Sequence, residues 1–460
     1  MAALDDALGR IDAGREAALK RLADLIAIPS ISADPARWPD CTRAADWLVD
    51  ALKEIGADAS RRDTAGRPMV VGHLVSSNRD APRVLFYGHY DVQPPDPLEL
   101  WSSPPFEATI VGDGDERKLR ARGASDDKGQ LMTFVEACRA FKEAGGPPCN
   151  VTFLFEGEEE SGSTSLPAFL AANSKELDAD VALVCDTDML ADDVPAVTTM
   201  LRGLVYEDVT VQAADRDLHS GLYGGAAANP IRVLARALAG LHDSDGRVTL
   251  EGFYDGVEEL PEEIAEQWRA FEAADEAMLA DVGLSVPAGE KGRSAREMIW
   301  SRPTCEFNGI VGGYTGVGAK TVLPAKASAK VSFRLVGAQD PAKVSESFRR
   351  HMRAAMPADC RVEFESHGAS PAISLPARSE ALTRARRALE AEWGKPAALV
   401  GSGGSIPIVG AFKRALKLDA LLIGFASPDD GIHSPDEGYR LRAFHKGARS
   451  WARVLAAIGA

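Results

Sequence analysis

The chain has no apolar stretch near the roughly 20 residues that a membrane helix needs. Its opening segment, MAALDDALGRIDAGREAALKRLADLIAI, is charged throughout and lacks the apolar centre of a secretory leader. Basic residues are in deficit, 52 against 68 acidic ones, giving a net charge of −16. That balance disfavours nucleic acid and anionic membrane surfaces as partners. Cysteine is sparse, with six residues at 41, 138, 149, 185, 305 and 360 and no C-x-x-C spacing. They read as reduced, mostly buried residues, and the chain is expected to be cytoplasmic. Internal repeats and low-complexity tracts are absent as well.

What is present has a globular composition, 45% hydrophobic and 26% charged, at a length that favours two domains. Four short apolar runs each lead into acidic or histidine residues. Residues 84–88 lead into His89 and Asp91. Residues 151–155 lead into Glu156, Glu158, Glu159 and Glu160. Residues 181–185 lead into Asp186, and 420–425 into Asp429, Asp430 and His433. Such runs between turn signals read as buried parallel strands. In open α/β sheets, ligands bind outside the carboxyl ends of the strands. The clusters should therefore meet at one sheet edge, where carboxylates and imidazoles suit a metal site.

The fold class is α/β. Residues 1–200 alternate helix and strand patterns, including a helix over 130–144 and a strand over 150–155, which implies a mostly parallel sheet flanked by helices. The N-terminal segment has amphipathic helix spacing through Leu4, Leu8, Ile11, Leu19, Leu22 and Ile26. Residues 204–213 and 329–336 alternate apolar and polar, as strands with one solvated face do. Helical spacing over 229–241 and 341–352 completes a small α+β domain, and 261–280 reads as a charged helix. The α/β texture returns over 373–460. The simplest arrangement is a discontinuous catalytic domain, 1–200 and 373–460, with an inserted α+β lid and dimerisation domain, 201–372.

Gly88-His89-Tyr90-Asp91 places two polar residues on one side of an extended segment. Asp91 can there hydrogen-bond the second ring nitrogen of His89 and fix its tautomer. Arg122-Gly123-Ala124-Ser125-Asp126-Asp127-Lys128-Gly129 opens a helix. A capping turn explains one Asp and leaves the second unexplained, and a carboxylate has two oxygens that can bridge two metals. A solvated loop is the usual fate of an acidic run such as 156–160. A bound cation would relieve its repulsion, with one Glu as ligand and its neighbour as general base. Cys185, beside Asp186, reads as packing rather than ligation.

Together, GHYDVQP, RGASDDKG, EGEEESGS and the distal DDGIHSP resemble the dinuclear-zinc metallopeptidase family of glutamate carboxypeptidase, acetylornithine deacetylase and carnosine dipeptidase. DLHSGLYGG, GIVGGYTGVGAKTVLP, KVSFRLV and GGSIP look most like the cytosolic nonspecific, carnosine-type dipeptidases within it. The resemblance implies two divalent metal ions, zinc first, with manganese or cobalt as alternatives. It implies that His89 and Asp186 hold one metal, Glu160 and His433 the other, and that Asp126 bridges them. Glu159 becomes the general base and Asp91 the acid that orients His89. The peptide after Asp126 is expected to be cis. His219 is implied to reach across a homodimer and stabilise the oxyanion in the partner's site. Arg334 is implied to hold the substrate's C-terminal carboxylate, with Asn308, Thr321, Gly404 and Ser405 lining the same pocket. Gly401 and Ser402 stand where carnosine-type dipeptidases often carry Arg-Glu, a departure that bears on substrate rather than on hydrolysis.

The expected activity is hydrolysis of dipeptides or short peptides, releasing an amino acid with a free carboxylate. The alternatives are an N-acyl-amino-acid amidohydrolase using the same machinery and a non-catalytic binding protein on the same fold. His73, His242, His351, His367 and His445 match no motif and read as surface or packing residues.

Overall fold

In the computed structural model, residues 2–270, 278–280, 282–375, 379–403 and 407–460 are described. The chain divides into two compact units. One comprises Met1–Thr199, Leu375–Val400 and Pro407–Ala460, and the other Met200–Ser374 with Gly401–Ile406. The short 401–406 segment, expected with the closing stretch, groups with the second unit. There Gly401 lies so close to Trp300 that a Cβ would come within 2.5 Å of the Trp300 Cβ.

The sheet of the first unit runs in the order Asp58–Arg62, Met69–Leu74, Asn150–Glu156, Arg83–His89, Val181–Val184, Ala420–Leu422 and Ala196–Leu201. It is mixed, with a parallel centre. The strands 150–156, 83–89, 181–184 and 420–422 pair parallel to their neighbours. These are the four apolar runs singled out in the sequence, and they lie side by side. Antiparallel pairs flank them: 58–62 with 69–74, 69–74 with 150–156, and 420–422 with 196–201. The first pair has only a short connection, too short for the crossover that a parallel pairing demands.

Helices cover both faces of this sheet. Neighbouring side chains on a strand point to opposite faces. Phe86 stacks on Phe134, with ring centroids 3.6 Å apart, and meets Trp451 edge-on at 5.6 Å. Tyr87, the next residue, meets Phe412 at 5.9 Å. Phe134 belongs to the helix Lys128–Glu143, Trp451 to Leu441–Ile458 and Phe412 to Pro407–Ala415. Leu131, Phe134, Val135 and Cys138 set the apolar spacing of the first helix, and all four are fully buried. Its packing matters for the site because the helix begins directly after Asp126 and Asp127. The N-terminal amphipathic segment forms two helices, Ala2–Ala13 and Arg15–Ile26, separated at Gly14. Among the described residues, no helix is long and apolar enough to cross a membrane.

The second unit holds a four-stranded antiparallel sheet in the order Thr304–Gly312, Lys326–Leu335, Gly203–Gln212 and Arg361–Ser370. Burial alternates along Gly203–Gln212, as expected for one covered face. Val205, Val209, Phe333 and Leu335 meet Leu234 and Leu238 of the helix Pro230–Ala239, and Phe348 and Met352 of Pro341–Ala354. Both helices start on a side-chain cap followed by proline. Asn229 accepts from Ile231 N–H at 2.9 Å and Asp340 from Ala342 N–H at 2.9 Å. The charged helix expected over 261–280 is seen as Glu262–Arg269, and 271–277 lie outside the described residues.

Candidate metal centre

The carboxyl ends of the four parallel strands bring the charged clusters together. His89 is the last residue of its strand and pairs in register with Glu156, the last of the next. Asp186 follows Val184 by two residues, and the loop after 420–422 carries His433. Asp126 comes from another direction, the turn before the helix Lys128–Glu143. The Asp126–Asp127 peptide is cis, as the resemblance implies.

Among the described residues two donor sets form, His89 with Asp126 and Asp186, and Asp126 with Glu160 and His433. Within each set one ligand atom per residue lies within 4.8 Å of the others. Asp126 belongs to both and offers a different oxygen to each. Its Oδ1 stands 3.1 Å from His89 Nε2 and its Oδ2 2.8 Å from His433 Nε2. Asp186 Oδ2 is 3.9 Å from His89 Nε2, and Glu160 Oε2 is 3.3 Å from His433 Nε2. His433 adopts a left-handed backbone, φ 63°, unusual for a side-chain-bearing residue.

The donors fit divalent ions. All are imidazole nitrogens or carboxylate oxygens, as zinc accepts without thiolate. Glu160 Oε1 is buried with no hydrogen-bond partner, a costly state for a carboxylate oxygen unless a cation meets it. Protons show the same electrostatic demand. Hydrogen bonds to Asp126 and Glu160 push the His433 imidazole up to about 10. Burial pulls His89 down, but its bonds to Asp126 and Asp91 prevail and raise it well above its ordinary value. Burial raises Asp186, and the charge of Asp126 adds to it. Cys185 joins neither set. Its thiol lies 3.3 Å from Asp127 Oδ2 in a fully buried position, which agrees with packing.

Residues 85–457 match the profile of peptidase family M20/M25/M40. That span is most of the chain and contains every donor above. The chain belongs to this family. It is a metal-dependent peptidase, and it is 31% identical to the Cys-Gly metallodipeptidase dug1 of Schizosaccharomyces pombe, over 97% of this chain and 96% of that protein. It is 28% identical to the human Beta-Ala-His dipeptidase, over 98% and 92%. Among solved structures it resembles an M20 family metallo-carboxypeptidase, Sso-CP2 of Sulfolobus solfataricus. The TM-score there is 0.81 at 30% identity, over 96% of this chain and 99% of that one.

Around the M20 donors, the acidic run 156–160 divides by depth. Glu156 is fully buried and accepts from Tyr87 O–H at 2.6 Å. Glu158 turns inward to accept from Arg67 N–H at 2.9 Å and Ser165 N–H at 3.0 Å. Only Glu159 and Glu160 remain at the site. Burial lifts the Glu159 carboxyl, opposed by His89 and assisted by Glu160, Asp91 and Asp126. Asp91 does more than approach His89. Its carboxylate is 3.4 Å from His89 Nδ1, while its backbone carbonyl is nearer at 3.1 Å. The carboxylate accepts the backbone N–H groups of Glu159 at 3.2 Å and Glu160 at 3.0 Å. Asp127 occupies the helix N-cap position without capping it, since its Oδ2 accepts His89 N–H at 3.0 Å instead. The capping reading of this Asp pair is therefore not realised.

Sequence reasoning assigned no bracing role to several supporting groups. Glu437, fully buried, accepts from Arg122 at 2.7 Å and from the N–H groups of Gly123, Ser125 and Asp126 at 3.0, 2.9 and 3.1 Å. It fixes the turn that presents Asp126. Asp430 accepts from Ser125 O–H at 2.8 Å and is thus a brace rather than a donor. Gln93 donates to Glu160 Oε2 at 2.7 Å. Glu437 had no strand-end or periodic signal, whereas Asp430 stood in the cluster after the run 420–425. Gln93 had a periodic signal, its place at two-residue spacing after His89 and Asp91.

The expected substrate residues lie in the second unit. His219 is exposed, accepts Gly221 N–H on Nδ1 at 3.0 Å and pairs with Val322 in a two-stranded ladder. Thr321 adjoins this ladder, its carbonyl accepting Ser220 N–H at 3.0 Å. The register of the edge strand shifts between Phe307 and Gly309, leaving Asn308 as a bulge, a device that re-aims a side chain. Arg334 is half-buried, between Thr304 and Leu204 on the neighbouring strands. Burial and the charge of Arg334 lower Arg202 to about 10. Gly404 and Ser405 lie outside the described residues. His73, His242, His351, His367 and His445 belong to neither donor set.

Proposed function

We propose that this protein is a dinuclear zinc dipeptidase that releases an amino acid with a free carboxylate. The observation that carries the reading is Asp126, which faces His89 with one oxygen and His433 with the other, at 3.1 and 2.8 Å. His89, Asp126 and Asp186 would hold one ion, and Asp126, Glu160 and His433 the other. When bound, such a pair supplies an acidified water and polarises the scissile carbonyl.

The chain's own residues would supply the rest. Glu159 would take the proton of the attacking water and return it to the leaving amine, and burial raises its carboxyl in the direction that favours a base. Asp91 would hold Glu159 and Glu160 in place through their backbone N–H groups. Arg334 would grip the C-terminal carboxylate by its planar fork, with Asn308, Thr321, Gly404 and Ser405 around it. His219 would stabilise the oxyanion in the other subunit of a homodimer. An association of two copies is supported by apolar exposure in the second unit, where Phe307, Ile310 and Val311 are 40%, 62% and 71% exposed on the edge strand.

A carboxypeptidase reading has support from the similarity to Sso-CP2, and a deacylase would use the same groups. One panel separates the three. Dipeptides, longer peptides, and acetyl or carbamoyl amino acids are assayed with zinc, manganese and cobalt. Faster turnover of longer peptides or acyl amino acids than of dipeptides would overturn the proposal.

A further inference from the structure

The motif GHYDVQP contains one polar residue that the proposed reaction does not use. Gln93 lies on the segment that continues from the strand Arg83–His89. That segment is held extended, with Tyr90 N–H bonded to Glu156 O at 2.8 Å and Val92 N–H to Ser30 O at 3.0 Å. Alternate side chains of an extended segment share a side, so His89, Asp91 and Gln93 form one row. His89 approaches Asp126 and Asp186, Asp91 takes the backbone N–H groups of Glu159 and Glu160, and Gln93 Nε2 donates to Glu160 Oε2 at 2.7 Å.

We propose that Gln93 is a positioning residue that orients Glu160 for the Glu160–His433 ion and for that ion alone. A carboxylate can rotate about its last bond, so its backbone anchor does not fix which oxygen faces the centre. The Gln93 amide restrains Oε2, while Oε1 stays buried without a partner. Among the described residues, Gln93 hydrogen-bonds to Glu160 and to neither His89 nor Asp186. Removing its N–H should therefore loosen one donor set and spare the other. The inference rests on the dinuclear reading above.

The test is a titration of metal-free protein with Zn²⁺, against a competing chelator, for wild type, Gln93→Met and Gln93→Asn. Methionine keeps the length without a donor, and asparagine keeps the amide one carbon short. His433→Ala marks the site under study. Both Gln93 variants should lose about 10- to 100-fold in affinity at the site that His433→Ala abolishes, the usual cost of losing a partner behind a ligand. The other site should keep its wild-type affinity. Unchanged binding, or equal weakening at both sites, overturns the assignment. Wild type taking up a single ion would overturn the dinuclear reading and this inference with it. Far-UV circular dichroism of the metal-free variants guards against misfolding. If Gln93→Met fails to fold, Gln93→Asn decides the question.

Discussion

Asp126 Oδ2 stands 2.8 Å from His433 Nε2, which joins the turn before one helix to the loop beyond the last parallel strand. The other oxygen of Asp126 serves His89, so the residue counts twice while His433 counts once. Asp126→Ala should weaken both ions, beyond the roughly 10- to 100-fold typical of losing a supporting group. His433→Ala should weaken one. Metal-to-protein ratios after dialysis at controlled free zinc would show it, and retention of one ion by Asp126→Ala with wild-type affinity would refute the bridging role.

Glu159 and Glu160 are adjacent, and both donate a backbone N–H to the Asp91 carboxylate, yet their roles should separate. Glu159→Gln keeps size and polarity but cannot accept a proton. Turnover should fall by about 10²- to 10⁴-fold, the usual share of a general base, with metal content near wild type. Glu160→Gln should lose metal. Metal loss in Glu159→Gln would mean that the two assignments are exchanged.

The sheet centre and its donors were legible because of one regularity. Apolar runs ending in charge mark parallel strands, and all four runs fell side by side. Asp126 follows no strand, so its turn marked an Asp pair and only the family resemblance gave Asp126 rather than Asp127 the bridging role. The antiparallel flanks were hidden because a short strand such as Asp58–Arg62 reads DASRR, with neither an apolar run nor clean alternation. Glu437 was illegible for a different reason. A buried carboxylate that binds backbone N–H groups has the sequence look of a surface residue, and only folding reveals its four donors. The split of the N-terminal helix at Gly14 shows the same limit, since apolar spacing persists across a break in the helix.

Phe134 joins the fold to the site, because its helix starts at the Asp126–Asp127 turn. It stacks on Phe86 at 3.6 Å and touches Trp451 at 5.3 Å, with no exposed surface. Phe134→Ala should cost about 3–5 kcal/mol of stability, read by denaturant unfolding of the metal-free protein. A loss under about 1 kcal/mol, typical of exposed positions, would show that this cluster does not anchor the helix.

Metal uptake should release protons. Asp126 and Glu160 raise His433 to about 10 in the metal-free protein, so at neutral pH the imidazole is protonated and must deprotonate to ligate. Affinity therefore rises with pH up to that value and falls as pH drops, by at most about tenfold per unit for each proton displaced. Calorimetry at pH 7 in buffers of different ionisation enthalpy measures the count directly. Zinc binding without net release would contradict the sign. His433→Ala should release fewer protons than wild type.

His219 gives the sharpest test of the homodimer proposal, because a residue acting in the partner's site can be rescued by a partner that is itself inactive. His219→Ala and Glu159→Gln should each be nearly inactive as homodimers. In a mixed dimer, the His219→Ala subunit keeps Glu159 and receives His219 from the Glu159→Gln subunit, so one of the two sites is complete. The other site lacks both groups. Random exchange makes half the dimers mixed, so about a quarter of wild-type activity should return. Exchange is verified separately with differently tagged subunits. If tagged heterodimers form and activity stays at the level of the separate variants, His219 does not act in trans.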